Sequence, residues 1–450
     1  MIHKFKFEQS NIVMDIHSGS IHIVDDVAYE ILEDAIKLSK EEVITKYQSK
    51  FKASEIEEAV AELCYLKEEQ MLDTPDTYKD LVPAFMARNP VVKALCLHVA
   101  HDCNLACKYC FAGEGEYHGP RGLMSAEVGK AAIDFLIKAS GHRKNVEVDF
   151  FGGEPLMNFK VVKEVVEYAR EQEEKTGKNF RFTLTTNGVL LNNTIIEFLN
   201  KNMYNVVLSL DGRPKVNDKM RPTSNGKGSY DIILPKFKKL VDERGHKQYY
   251  IRGTFTRHNL DFAQDVLHMA DAGFSEVSVE PVVAPPTTDY ALKDEDLEPL
   301  CKEYENLAKE MLRRHKENGE CFNFFHFMVD LSGGPCVHKR LAGCGSGTEY
   351  LAATPEGDLY PCHQFVGMPE FKMGDVWTGV TNLDRRNEFE KCNVYSKEEC
   401  TSCWAKLYCS GGCAANAYHF NQKLDSIYEV GCELEKKRLE CAIGLQAEQA

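Results

Sequence analysis

The sequence predicts an α/β fold: a partial (β/α)6 TIM-like barrel with an N-terminal winged-helix domain and a C-terminal cysteine-rich domain. Three observations predict it. From about residue 92 to 315, six apolar runs of strand length alternate with five amphipathic helical patterns, the rhythm of a parallel sheet with crossover helices. The first 80 residues join a short hairpin to three helical patterns. The final stretch is rich in cysteine and glycine with weak periodicity, as in a small domain held by metal rather than by a large core. The implied units are residues 1–80 (winged helix), 81–91 (linker), 92–315 (barrel), 316–340 (bridging region) and 341–450 (cysteine-rich domain).

In the first unit, "IVMDI" and "IHIV" flank the Ser/Gly turn "HSGS" and read as a hairpin. Helices follow in "DDVAYEILEDAIKL", "KEEVITKYQSKF" and "SEIEEAVAELCYLKEEQML", the last with Ile56, Val60, Leu63 and Cys64 on one apolar face. A winged helix commonly binds DNA, yet these 80 residues carry 9 Lys/Arg against 18 Asp/Glu, a net of −9, where phosphate contact demands positive charge. Nucleic acid is disfavoured. The hairpin edge can instead pair with an extended peptide through main-chain hydrogen bonds. "TPDTYKDLVP" then reads as a linker.

The barrel strands are "KALCLHVA", "VEVDFF", "FRFTLTTN", "NVVLSL", "YYIRGTF" and "EVSVEPV". Between them lie the helical patterns "SAEVGKAAIDFLIKAS", "NFKVVKEVVEYAREQEEKTG", "NTIIEFLNKN", "YDIILPKFKKLVDERG" and "DFAQDVLHMADAG". Residues closing such strands at their C-terminal ends line the active site of a barrel. This gathers "HDCNLACKYC", "GGEP", "TNG", "SLDG" and "EPV" at one rim.

Across 450 residues, 54 basic and 69 acidic side chains give a net charge of −15, which favours solubility and disfavours polyphosphate or anionic-membrane partners. The start, "MIHKFKFEQSNIVMD", has no apolar h-region, and no run approaches the roughly 18 apolar residues of a membrane span. The expectation is a cytoplasmic protein with no membrane partner. Seventeen cysteines in a reducing compartment are poor disulfide candidates, so their clustering points to metal. Cys103, Cys107 and Cys110 form one group; Cys344, Cys362, Cys400, Cys403, Cys409, Cys413 and Cys432 form another. Cys64, Cys96, Cys301, Cys321, Cys336, Cys392 and Cys441 are scattered and are expected to be small buried hydrophobes.

"CNLACKYC" has the spacing C-x3-C-x2-C directly after the first barrel strand. A structural zinc site needs four ligands, and no fourth cysteine or histidine stands at a usual interval, although His98 and His101 are near. Three thiolates leave a metal position open. This spacing, with Tyr109 before the last cysteine, resembles the signature of the radical S-adenosylmethionine (SAM) enzymes. The resemblance implies that Cys103, Cys107 and Cys110 hold three irons of a [4Fe-4S] cluster and that the fourth iron chelates SAM. Direct iron contact then gives both a path and an orientation for electron transfer to the sulfonium. The strand-end motifs match the same family. Gly152, Gly153 and Glu154 fall on its GGE motif, facing the SAM amino group; the alternative for the glycines is a tight turn. Asn187 in "TTNG", Ser209 (ribose) and Arg221 (SAM carboxylate) in "SLDGRPKVNDKMR", and Val282 (adenine) complete the implied cofactor contacts. Arg221 alone could equally be a surface ion pair. Asp211 reads either as a helix-capping carboxylate, which is favoured, or as an active-site group.

The second array runs Cys344-x12-Gly357-x4-Cys362, then C-x2-C-x5-C-x3-C over Cys400–Cys413, then Cys432. A pair of zinc ribbons competes, but seven ligands do not close two tetrahedral sites. The order resembles the SPASM extension of radical SAM peptide and protein maturases, which carries auxiliary [4Fe-4S] clusters. The resemblance implies that Cys400, Cys403, Cys409 and Cys432 hold the distal cluster, that Cys413 crosses back to join Cys344 and Cys362, and that "SGG" turns the chain between the two. "GSGTEY" lacks the further cysteine that would complete the nearer cluster. Cys336 is the nearby substitute; an iron open to a substrate thiolate is preferred.

Together these features resemble maturases of ribosomally made peptides, nearest to those acting on the six-cysteine SCIFF precursors. The resemblance implies three [4Fe-4S] clusters and SAM as cofactors. It also implies a cysteine-rich precursor whose leader is bound by the N-terminal domain, and an electron donor such as flavodoxin or ferredoxin. The implied reaction is of the sactipeptide or ranthipeptide type: a 5′-deoxyadenosyl radical abstracts a substrate hydrogen and the carbon joins a cysteine sulfur as a thioether. Formylglycine formation, a carbon-carbon crosslink and a zinc-dependent DNA-binding regulator are the alternatives. No proton acceptor is selected among Asp211, Glu280 and Tyr109.

Overall fold

The computed structural model describes residues 1–319, 321–331 and 337–449. At the N-terminus, β1 (Ile2–Phe7), β2 (Ser10–Asp15) and β3 (Ile21–Val24) form an antiparallel sheet in that order. The expected hairpin is β2–β3. The additional β1 follows from the alternation in "IHKFKF", which buries Phe5 and Phe7 on one side. Three helices follow: α1 (Asp26–Ala35), capped by the Asp25 side chain, α2 (Lys40–Tyr47), started by a Ser39/Glu42 capping box, and α3 (Ala53–Glu68). Their apolar faces meet β2 through Ile31, Leu32, Val43, Ile56, Val60, Leu63 and Val13. Cys64 does not share that face; one position beyond Leu63 turns it to solvent.

All six expected barrel strands form and lie parallel in chain order: β4 (Ala94–His101), β5 (Asn145–Gly152), β6 (Asn179–Thr186), β7 (Asn205–Ser209), β8 (Tyr249–Phe255) and β9 (Glu276–Pro281). The helices α4 (Ala126–Ala139), α5 (Phe159–Thr176), α6 (Asn193–Asn202), α7 (Tyr230–Glu243) and α8 (Phe262–Asp271) link them. Alternate strand residues, such as Leu95, Leu97, Val148, Phe150, Phe182, Leu208, Ile251 and Val279, are fully buried beneath these helices. The other set, with Cys96, His98, Asp149, Thr183, Ser209, Arg252 and Glu280, turns inward.

The sheet extends past both ends of the expected six strands. After α9 (Leu297–Asn318), the short β10 (Asn323–Phe324) pairs parallel with β9, and β11 (Tyr350–Ala353) pairs parallel with β4. The chain then folds back antiparallel into β12 (Asp358–Tyr360), so the cysteine-rich region is an outgrowth of the barrel sheet. Among the described residues the sheet path is linear, and the barrel stays open.

The C-terminal region also has more core than its weak periodicity suggested. The helix α10 (Glu429–Ala447) buries Val430, Leu434, Leu439, Cys441, Ala442, Ile443 and Leu445, most of them in the core of the barrel. It lies between α9 and β1, so apolar residues occur on several of its faces and no single stripe stands out. Of the scattered cysteines, Cys96 and Cys441 are buried, while Cys301, Cys321 and Cys392 are half-buried. Cys336 lies outside the described residues. Among those residues no helix is long and apolar enough to cross a membrane.

At Gly444 of α10 an added Cβ would meet the Phe7 ring at 2.3 Å. Gly444→Val must therefore displace β1 from α10, at a cost of about 1–3 kcal/mol. The expected result is a lower midpoint in thermal unfolding and faster proteolysis between the N-terminal unit and the barrel.

Candidate functional site

The site is built where the strands end. β4 delivers "DCNLACKYC" and β5 ends at Gly152, and the two backbones nearly touch. Gly153 N donates to Ala100 O at 2.8 Å and Glu154 N to Asp102 O at 2.9 Å. A Cβ at Gly152 would stand 2.2 Å from Ala100 O, and one at Gly153 the same distance from Asp102 O. Gly152 also has φ +123°, so only glycine fits there without strain. On its other side the cysteine loop bonds to the segment around Arg221: Ala106 N to Pro222 O at 2.9 Å and Lys108 N to Met220 O at 2.9 Å.

Glu154 is buried and ties three elements together. Its carboxylate accepts from Thr186 Oγ1 at 2.8 Å, Asn187 N at 2.8 Å and Leu156 N at 3.0 Å, while burial pushes its ionisation up to about 7. Asn187 in turn donates Nδ2 to Asn104 Oδ1 at 2.8 Å, inside the cysteine loop. Arg221 NH1 donates to Tyr109 Oη at 2.9 Å, and Tyr109 Oη donates to the Asp211 carboxylate at 2.9 Å. Asp211 also accepts from Thr254 N at 3.0 Å, and burial raises its ionisation to about 6 despite Arg221. The favoured capping role of Asp211 is not what it does. The short helix Pro214–Met220 has no side-chain cap, because Tyr109 and Thr254 already occupy the carboxylate.

One cavity is lined by Cys103, Cys107 and Cys110 together with Gly152, Gly153, Glu154, Asn187, Ser209 and Arg221. Val282 does not line it; it is buried in the core, its N–H bonded to Phe255 O. Burial pushes the Cys103 thiol up to about 12 and Cys107 to about 11, each raised further by a neighbouring cysteine. Thiols so placed ionise only beside strong positive charge, such as a metal. Among the described residues no three His, Cys, Asp or Glu side chains converge as ligands of one ion do. The three cysteines surround a space instead, which suits a polynuclear cluster whose thiolates bind separate irons. Arg221 Nε is buried without a partner, a free donor beside that space.

The second array falls into two groups. Cys362 is within electrostatic reach of Cys413 and Cys344. Cys409, pushed up to about 12 by burial, is within reach of Cys432 and Cys400, and Cys432 within reach of Cys400 and Cys403. Cys409 and Cys413 are four residues apart and join different groups.

Residues 92–234 match the family model of a 4Fe-4S single cluster domain. Over 343 residues the chain is 23% identical to the radical SAM cyclopropyl synthase TigE of Paramaledivibacter caminithermalis, covering 72% of this chain and 68% of TigE. Over 339 residues it is 25% identical to a cysteine-type anaerobic sulfatase-maturating enzyme of Clostridium novyi, covering 70% of this chain and 86% of that one. The chain is related to the radical SAM maturases. A Methanocaldococcus jannaschii protein is 33% identical over 138 residues; that match spans only 31% of this chain and 45% of the archaeal protein. The same fold occurs in native anSMEcpe with bound AdoMet, at TM-score 0.64 and 21% identity, over 79% of this chain and 99% of that one. It also occurs in Streptococcus suis SuiB bound to precursor peptide SuiA, at TM-score 0.54 and 18% identity, over 95% and 97%.

Other inward-facing residues of this chain were not among the site residues expected from the sequence; Cys96 was expected only as a small buried hydrophobe, and it is buried. Asp149, bonded to Thr183, is pushed up to about 7 by burial and by Glu147. Cys96 bonds Tyr350 across the β4–β11 pair. Arg252, its side chain 56% exposed within the open barrel, is met by Glu280 at 3.7 Å. Their signal was available: polar residues at every second position of otherwise apolar strands.

Tyr109→Phe removes the hydroxyl shared by Asp211 and Arg221 and leaves both charged groups one partner short in a buried setting. The expected cost is about 1–3 kcal/mol, read as a lower midpoint in chemical denaturation.

Proposed function

We propose that the chain installs a thioether between a cysteine sulfur and a backbone or side-chain carbon of a ribosomally made precursor peptide. Cys103, Cys107 and Cys110 would hold the SAM-binding [4Fe-4S] cluster. When bound, that cluster and SAM supply reductive cleavage of the sulfonium and hydrogen abstraction from the peptide. Glu154, fixed by three hydrogen bonds, would face the SAM amino group beside the Gly152–Gly153 backbone. Arg221, oriented through Tyr109 and with Nε free, would take the carboxylate. Asn187 and Ser209 line the same cavity and would meet the ribose side.

The observation that carries the thioether reading is the auxiliary group, which among the described residues has three cysteines. Cys344, Cys362 and Cys413 would hold the nearer cluster, and Cys400, Cys403, Cys409 and Cys432 the distal one. Cys344 and Cys413 are exposed, so the nearer group opens outward and a peptide thiolate can complete it. Flavodoxin or ferredoxin would supply the electron for sulfonium cleavage, and the peptide loses two hydrogens in all: one atom from carbon, and one proton from the thiol with an electron that returns to the protein.

The N-terminal unit supplies the leader site. Among the described residues β3 pairs on one side only, with β2, so its outer edge can accept a peptide strand. The match to native anSMEcpe leaves about a fifth of the present chain without counterpart, roughly the size of this unit, whereas the match to SuiB with its precursor extends over 95%. This supports a leader-dependent substrate over a sulfatase as target.

Anaerobically reconstituted enzyme should hold about three [4Fe-4S] clusters and consume SAM. Cys103→Ala/Cys107→Ala/Cys110→Ala should lose about one cluster and all SAM cleavage. Cys362→Ala should retain SAM cleavage and lose crosslinking. Mass spectrometry should find the precursor two hydrogens lighter; equal modification of a cysteine-free precursor would falsify the thioether reading.

A further inference from the structure

The chain between Cys403 and Cys409 presents every second side chain to the N-terminal unit and its linker. Trp404 stacks on His3 of β1, ring centroids 3.8 Å apart and 3° from parallel, and His3 Nε2 meets Glu440 of α10 at 3.0 Å. Lys406 Nζ donates to Asp76 Oδ2 at 2.7 Å, and Tyr395 Oη donates to the other oxygen of Asp76 at 2.7 Å. Tyr408 faces Arg340, which donates NH1 to Tyr78 Oη at 2.8 Å. Lys406 is 2% exposed, and a buried ammonium is tolerated only with a partner in good geometry. Asp76 thus fixes a position and does more than add adhesion. Around this contact, Phe7 sits on Gly444, Ser10 Oγ donates to Glu448 at 2.7 Å and Lys309 meets Glu8 at 2.8 Å. The sheet docks by one face, with Phe5 and Phe7 of β1 and Ile12 and Met14 of β2 buried in the barrel core, and β1 is the edge nearest the distal cysteine loop. The free edge, β3, is at the opposite side of the same sheet.

We infer that His3 and Asp76 are positioning residues: they lock the N-terminal unit onto the distal cysteine loop and so set the distance from bound leader to catalytic rim. The inference rests on the leader-binding reading of that unit. A peptide held at β3 reaches the rim through its own spacer, and its effective concentration there peaks when the spacer matches a fixed span. A rigid dock therefore makes the enzyme measure spacer length. A loose one would accept a broad range.

The test uses full-length reconstituted enzyme and precursors whose leader-to-core spacer is shortened or lengthened by about five Gly/Ser residues. For wild type, kcat/KM should fall about tenfold or more in either direction while leader affinity, by fluorescence anisotropy, is unchanged. His3→Ala/Asp76→Asn should keep leader affinity and peptide-independent SAM cleavage while flattening the spacer dependence to about threefold or less. His3→Phe with Asp76 intact restores a stacking ring and should restore the optimum. Where the double variant folds poorly, Asp76→Asn alone is read, since Asn still accepts from Tyr395. A wild type that binds leader but ignores spacer length overturns this inference alone, as does a variant that keeps the sharp optimum. Failure of wild type to bind leader overturns the leader-binding reading and this inference with it.

Discussion

The site depends on one close approach, between the end of β5 and the loop that leaves β4. Gly152 and Gly153 let the β5 backbone come within hydrogen-bond distance of Ala100 and Asp102, where any side chain would collide with a carbonyl oxygen. That contact pins the cysteine loop against the sheet. It also aims Glu154 inward, where Thr186 and Asn187 of the neighbouring strand end hold it. Cysteine loop, GGE turn and TTNG turn thus form one bonded unit. The loop's far side is stitched to the Arg221 segment, so moving any one of the four moves the cavity wall.

Around this frame the electrostatics are unbalanced in a consistent way. Burial suppresses ionisation of the cysteines, Glu154 and Asp211, while Arg221 supplies positive charge with one donor unspent. A buried polar network is stabilising only when its members are satisfied. Here the missing partners are a cation for the thiols and an anionic acceptor for the guanidinium. An iron-sulfur cluster and an amino acid carboxylate, the groups proposed for this cavity, would supply that pair of complements.

Legibility in the sequence followed periodicity. The six strands and five crossover helices declared themselves because each has one apolar face, and the strand-end motifs located the rim because barrels place their sites there. Helix α10 was silent because it is apolar on several sides, and β11 because joining the barrel sheet is a tertiary event that four residues do not announce. Cys64 was misplaced by one helical position. Asp211 was assigned to a cap because the sequence shows a carboxylate ahead of a helix, whereas the structure lets the distant Tyr109 claim it. Val282 sits behind the rim because the chain past β9 folds into the core.

The stretch "CTSCWAKLYCSGGC" concentrates these constraints. Ser410, Gly411 and Gly412 all have positive φ, 60°, 83° and 72°, a left-handed run that reverses the chain between Cys409 and Cys413 and sends them to different groups. Left-handed backbone costs a non-glycine residue about 1–2 kcal/mol, so Ser410 is held there by its surroundings; Lys397 Nζ anchors the turn on Gly411 O at 2.7 Å. Its cysteines turn to two groups, while Trp404, Lys406 and Tyr408 turn to the N-terminal contact. A displacement of the N-terminal unit must act on the same backbone that spaces the two auxiliary groups. The N-terminal unit and the spacing of the auxiliary groups are therefore linked through these fourteen residues as well as through α10 and the barrel core.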